Sequence, residues 1–293
     1  MRPITLPAVV LFLVGTVGTT SRAAAPASAP ELDLSALSES ARHEVQEAMS
    51  DEFCGCGAPH TLAACIQTHP SCLHSRREVQ LAANLASRGA TAIELGVTLA
   101  RYNHSFLDPR AKLPVDEKMC LGEANSPVTL VEYADFECPL CGTSRPILDK
   151  FVQDRPGQVR LCYVPFPLQQ HPNAIPAGQA ALFARDHGKF WAVHKALFEN
   201  QTRLSPDVIK ELLVQAGLPA EAWAKVLATS GYVQELERFR ESGVTAGVQG
   251  TPTVYMNGRK VDFLPNAEVL ELTLEDERDF QSHKGSWASG DAR

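Results

Sequence analysis

The stretch VEYADFECPLCGTSRP, residues 131–146, decides how this chain is read. A β-branched and aromatic run ends at two cysteines, Cys138 and Cys141, with Pro139 and Leu140 between them, and a helix-start pattern follows. A C-x-x-C pair can hold zinc, close a static disulfide or shuttle electrons. Structural zinc takes a second ligand pair, yet downstream there is only Cys162 within an apolar run and His171 without a close companion ligand. A strand, then C-P-x-C, then a helix puts the first cysteine at a helix N-terminus. There the amides and the macrodipole favour a thiolate, the attacking species in thiol–disulfide exchange. We therefore read a redox pair, with Cys141 one turn into the helix, more buried and able to reach back to Cys138. Zinc and a static disulfide are the alternatives.

Outward from the motif, residues 127–136 read as a strand and 139–154 as a helix that Pro146 should kink. Residues 158–168 read as the next strand. Residues 173–201 are helical with a break near Gly188, and Ser205-Pro206 is a good N-cap and N1 pair for another helix. Further helices run to about residue 247. TPTVYMNGRKV (251–261) then reads as a hairpin turning at Asn257-Gly258, and an acidic helix covers about 266–280. The order β-α-β, helical block, hairpin, helix implies a mixed sheet with helices on both faces, and a helical insertion over 173–247. Phe183, Phe190, Trp191 and Phe198 recur at helical spacing and are expected in the core; His187 and His194 are expected to be ordinary helix residues.

The chain has 293 residues, with 27 basic against 34 acidic side chains and a net charge of −7, so no basic field draws nucleic acid. Residues 1–25 have the build of a signal peptide, with cleavage expected after Ala25 or Ala29 and an uncleaved anchor as the alternative. This reading makes the protein periplasmic or secreted. Residues 26–36, rich in Ala, Pro and Ser, read as a linker, and 281–293 as a flexible tail. In an exported chain the eight cysteines read first as disulfides.

Residues 37–108 form a cysteine-rich helical unit, with helices expected over 41–49, 75–89 and 91–101 and a boundary over 103–114. It holds Cys54, Cys56, Cys65 and Cys72 beside His60, His69 and His74. Cys54 and Cys56 are too close in sequence for a comfortable mutual bridge, so each is expected to pair with one of Cys65 and Cys72. Zinc held by these Cys and His side chains, or a redox-active Cys-x-Cys, are the rivals; we assign no metal.

Four segments, VTLVEYADFECPLC, VRLCYVPFPLQQHPNA, GKFWAVHKALFENQ and GVQGTPTVYMNGR, together resemble the DsbA-like thioredoxin-fold thiol–disulfide oxidoreductases, over roughly residues 115–280. The resemblance implies an α/β thioredoxin-like fold with a helical insertion, here preceded by the small cysteine-rich helical unit. It implies that Cys138 is the nucleophile and Cys141 the resolving cysteine, and that Thr251-Pro252 is the cis-proline step facing them. Glu132, six residues before Cys138, matches a buried acid that takes the proton from Cys141; an exposed charge at a sheet edge is the alternative. Pro139 and Leu140 tune the couple and meet the substrate. Leu140 stands where strongly oxidising members often carry a histidine, so a less stabilised thiolate and a less oxidising disulfide are expected. Asp135 and Glu137 are expected to push the same way.

In the family's sheet EKMCL (117–121) would be a first edge strand beside 160–164, bringing Cys120 to Cys162 as a structural disulfide; buried free thiols or a second redox pair are the alternatives. His171 is expected at the surface where a helix begins, or else approaching the active site. The implied function is protein thiol–disulfide exchange with cysteine-bearing substrate proteins, reoxidation by a quinone-coupled membrane enzyme, and no soluble cofactor. A reductase or isomerase on the same pair, or a non-enzymatic peptide- or metal-binding protein, are the other classes.

Overall fold

The computed structural model describes residues 34–261, 265–285 and 287. The expected signal peptide, most of the linker and the last residues of the tail lie outside them.

The motif's strand, β2 (Val128–Ala134), is the centre of a five-stranded sheet with the order β1-β3-β2-β4-β5. The other strands are β1 (Cys120–Leu121), β3 (Val159–Pro165), β4 (Thr253–Met256) and β5 (Arg259–Val261). β2 is parallel to β3, with helix α5 (Pro139–Gln153) as the crossover, and antiparallel to β4, with Glu132 opposite Tyr163 on one side and Val254 on the other. Alternation along β2 divides the core. Leu130 joins Leu148, Phe151, Leu161, Val254 and Met256 on one face, while Val131 and Tyr133 join Val164, Phe166 and Tyr255 on the other. β4 and β5 turn through Asn257 and Gly258, both with positive φ (50° and 78°), as an Asn-Gly hairpin requires.

Between β3 and β4 lies the helical block: α6 (Ala174–Asp186), α7 (Phe190–Glu199), α8 (Pro206–Gln215), α9 (Ala220–Ala228) and α10 (Val233–Ala246). The break between α6 and α7 falls at Gly188, whose φ is +68°. Ser205 caps α8 through the Val208 N–H, with Pro206 at its first position. Phe183, Phe190, Phe198 and Trp223 are buried together with Cys138 and Cys141, so the block roofs the motif. α10 can lie against the sheet because residue 243 is glycine: a Cβ there would sit 2.7 Å from the Phe166 ring.

The N-terminal helices are α1 (Glu39–Asp51), α2 (Leu62–Thr68), α3 (Leu73–Ala86) and α4 (Ala92–Leu107). Three expectations are corrected here. The short α2, capped by Thr61, had no counterpart in the sequence reading. The expected boundary at residue 103 is helical to Leu107. Thr91 and Glu94 form a capping box, and Leu95, Leu99, Tyr102 and Phe106 then keep one buried stripe running past that point. The strand expected over 117–121 is a 3₁₀ turn, Glu117–Met119, followed by the two residues of β1.

The last helix, α11 (Ala267–Ser282), extends two residues into the expected tail and ties the parts together. Val269 and Phe280 pack with the N-terminal helices, whereas Leu270 and Leu274 pack beneath the sheet. Its Asp276, fully buried, meets His74 Nδ1 at 2.9 Å and Arg77 at 2.8 Å, and accepts from the Tyr102 hydroxyl at 2.7 Å. Neighbouring Glu277, also buried, accepts from Arg259 at 3.1 Å and Arg110 at 3.0 Å. The described residues accordingly belong to one compact unit.

Candidate active site

β2 ends beneath α5, and Cys138 occupies the N-cap position of that helix. Pro139 is the first helical residue, where its missing N–H removes a donor that would otherwise be orphaned. β4 lies beside β2 with Thr253 opposite Tyr133, which brings the segment before β4 up to the same end of the sheet. The Thr251–Pro252 peptide bond there is cis. The Cys138 thiol donates to the Thr251 carbonyl oxygen at 3.2 Å. Cys138 and Cys141 are unbridged and buried, whereas Leu140 between them is half exposed.

The two sulfurs have opposite electrostatics. A hydrogen bond from the Cys141 thiol is the largest influence on Cys138; Thr251 and the backbone N–H groups of Cys141 and Leu140 add to it, and burial opposes. The net effect lowers the Cys138 pKa from about 9 to about 5. Leu140 thus contributes an amide where its side chain contributes nothing. Cys141 is pushed far upward by burial, by its hydrogen bond to Cys138 and by the nearby Glu132 carboxyl.

Glu132 is 2% exposed on the central strand, so the edge-charge alternative is overturned by the strand order. Burial, with the negative charges of Asp149 and Cys138, raises its pKa to about 8 against the opposing pull of Arg145. Its Oε1 is buried with no hydrogen-bond partner among the described residues. Asp149 pairs with Arg145 one turn away on α5 at 3.2 Å.

Asp135 and Glu137 do not face the thiolate as the sequence reading expected. Asp135 accepts from the N–H groups of Glu137 and Leu168 and meets His171 Nδ1, each at 2.8 Å. Glu137 accepts from the Asn173 backbone at 2.5 Å and side chain at 3.0 Å. Both carboxylates therefore brace the loop after β3 against the motif, and His171 is held in that brace. The loop's Leu168 and His171 also line a groove of about 340 Å³ with Ile175, Val233, Leu236 and Arg240. His194 is buried among Phe136, Tyr163 and Phe198, and burial lowers its pKa to about 3, so it stays neutral in the aromatic core.

Sequence reasoning missed Gln201. Its side-chain amide donates to the carbonyl oxygens of Phe136 and Cys138, both at 2.8 Å, and its Oε1 fills the space that a Cβ on Gly142 would need. Gln201 lies 63 residues from Cys138, in a 3₁₀ turn, and carries no local signal. Of the other cysteines, Cys120 and Cys162 are directly opposite in the β1–β3 register and bridged, with Cα atoms 4.0 Å apart. Cys54 is bridged to Cys65 and Cys56 to Cys72.

The sequence profile of the thioredoxin family matches residues 115–276. Among curated proteins the chain is 31% identical over 196 residues to the Na(+)/H(+) antiporter NhaA 3 of Salinispora tropica, covering 67% of this chain and 29% of that protein. It is 29% identical over 167 residues to the Na(+)/H(+) antiporter NhaA of Herminiimonas arsenicoxydans, covering 56% and 27%. The chain thus spans under a third of the length of these relatives. No helix among the described residues is long and apolar enough to cross a membrane. Oxidised BdbD from Bacillus subtilis superposes with a TM-score of 0.50 at 22% identity, covering 58% of this chain and 98% of that one. For α-DsbA1 from Wolbachia pipientis the values are 0.50, 14%, 59% and 96%. With its strand order, its C-P-x-C at the head of α5 and its facing cis-proline, the chain belongs to the thioredoxin family.

Proposed function

We propose that this protein, after export, oxidises cysteine pairs in substrate proteins through the Cys138–Cys141 disulfide. A substrate thiolate attacks Cys138 Sγ; the Cys138–Cys141 bond breaks and its electron pair leaves on Cys141, which takes the proton of the Glu132 carboxylic acid. A second substrate thiolate then attacks the substrate sulfur of the mixed disulfide, and Cys138 leaves as a thiolate. Thr251 and Pro252 would align the substrate chain, with Pro139 and Leu140 meeting its flank. A quinone-coupled membrane oxidase would restore the disulfide.

The observation that carries this reading is the split between the two thiols. With a pKa of about 5 rather than about 9, Cys138 is almost wholly ionised at pH 7 instead of about one per cent ionised. That stabilises the dithiol state about a hundredfold, or about 60 mV toward oxidising power for a two-electron couple. The amides at the α5 N-terminus and the Cys141 thiol thus offset part of what Leu140 withholds. The test is covalent trapping. Cys141→Ala should accumulate mixed disulfides through Cys138, and Cys138→Ala should abolish oxidation of a dithiol peptide. Undiminished oxidation by Cys138→Ala would sink the proposal. A reduction potential near about −270 mV would instead assign the pair to the reducing direction.

A further inference from the structure

We propose that the four N-terminal cysteines form a tetrathiolate site for a zinc-class divalent cation once both of their disulfides are reduced. The two bridges are not independent staples. The sulfurs of Cys54, Cys56 and Cys72 lie within 4.8 Å of one another, and the Cys65 sulfur is bonded to that of Cys54. Cys54, Cys65 and Cys72 are buried in one small cluster with Ala58, and Cys56, partly exposed, packs against it. Around a tetrahedral ion with metal–sulfur bonds of about 2.3 Å, sulfurs stand about 3.8 Å apart. Three of the four sulfurs therefore already stand near such a spacing, and the fourth, on Cys65, has to turn toward them once its bond to Cys54 is broken.

Three separate elements present these sulfurs, so the backbone holds them together without the S–S bonds. Cys54 and Cys56 sit on a tight loop in which the Cys54 N–H donates to His60 O at 2.9 Å and the Gly57 N–H to Cys54 O at 3.0 Å. Gly57 has φ +81°, and Gly55 between the two cysteines has no room for a Cβ, which would fall 2.6 Å from the His74 ring on α3. Cys65 projects from α2. Cys72 is the N-cap of α3, where the Ser75 N–H points at its sulfur from 3.4 Å, a position that favours a thiolate. An all-sulfur tetrahedral set selects zinc-like ions over magnesium, calcium or manganese.

The chemistry balances with a dithiol as reductant. Each bridge accepts two electrons and two protons, giving two thiols while the dithiol leaves as a disulfide. The four thiols then release four protons as they bind one divalent ion. The site is remote in sequence from Cys138 and Cys141, and the inference does not depend on the activity proposed for them.

The test uses Co(II) and the full chain carrying Cys138→Ser and Cys141→Ser, which removes the competing thiols. After anaerobic reduction and removal of the reductant, Co(II) should saturate at one equivalent, with sulfur-to-metal charge-transfer absorption and the visible bands of a tetrahedral site. The oxidised chain should show neither. Adding Cys56→Ser and Cys72→Ser should weaken binding by roughly a hundredfold or more. The proposal is overturned if the reduced chain binds no Co(II), if the spectrum is octahedral, or if binding survives loss of Cys56 and Cys72. It is also overturned if the same bands appear only in a chain that retains Cys138 and Cys141.

Discussion

Replacing Glu132 by glutamine isolates the cost of keeping an acid under the active-site helix. The carboxyl is buried and its pKa is raised to about 8, from a value near 4.5 in the unfolded chain. Between those values the native state holds a proton that the unfolded state has lost, so stability is greatest below about pH 4.5 and falls as pH rises through 8. For a group moved by this amount, the loss between pH 5 and pH 8 is on the order of 3–4 kcal/mol at about 1.36 kcal/mol per pH unit. Glutamine keeps the shape and cannot ionise. Urea denaturation of the reduced protein at pH 5, 6, 7 and 8 should therefore show the wild type losing on the order of 3–4 kcal/mol relative to Glu132→Gln across the series. Groups that do not interact with residue 132 cancel in the difference; the couplings to Cys138 and Asp149 are part of what the comparison reads. Two parallel curves would mean that Glu132 ionises as freely in the fold as outside it, and the proton-donor role assigned to it would fail with them.

Alkylation of Cys138 in the reduced protein should follow a thiolate titration centred near pH 5 and plateau above pH 6; a midpoint near 9 would remove the case for oxidising power. Gln201→Ala removes both side-chain hydrogen bonds to the motif backbone, and chemical denaturation should register a loss of about 1–3 kcal/mol, with a shifted Cys138 alkylation midpoint. Glu277→Leu leaves the fully buried Arg259 guanidinium without its carboxylate. It should destabilise the fold by about 3–5 kcal/mol in the same assay, and an unchanged midpoint would show that the pair is not a tie between α11 and the sheet.

Much of the site was legible because its chemistry is local. A strand followed at once by C-P-x-C specifies a cysteine at a helix N-terminus, and the four family-like segments pointed to Thr251-Pro252 as its partner. The Leu140 side chain adds nothing to the thiolate, and its amide is one of those at the α5 N-terminus that favour it. Asp135 and Glu137 misled. Nearness along the chain was taken for nearness to the sulfur, whereas their carboxylates turn to Leu168, His171 and Asn173. The boundary at residue 103 failed because a polar-looking segment can still carry a buried stripe when a distant helix supplies its cover.

The sequence by itself determined the C-P-x-C pair at a helix N-terminus, the alternation that puts β2 in the core, the hairpin at Asn257-Gly258 and the helices of the insertion. Each follows from contacts or periodicities within a few residues. Tertiary structure alone decided that Glu132 sits on the central strand with its Oε1 unpartnered among the described residues, that Gln201 braces Cys138, and that α11 joins the N-terminal helices to the sheet through Asp276 and Glu277. It also decided that four cysteines from three elements meet in one cluster. Desolvation and long-range hydrogen bonds depend on what other parts of the chain bring to a position, and no local pattern records that.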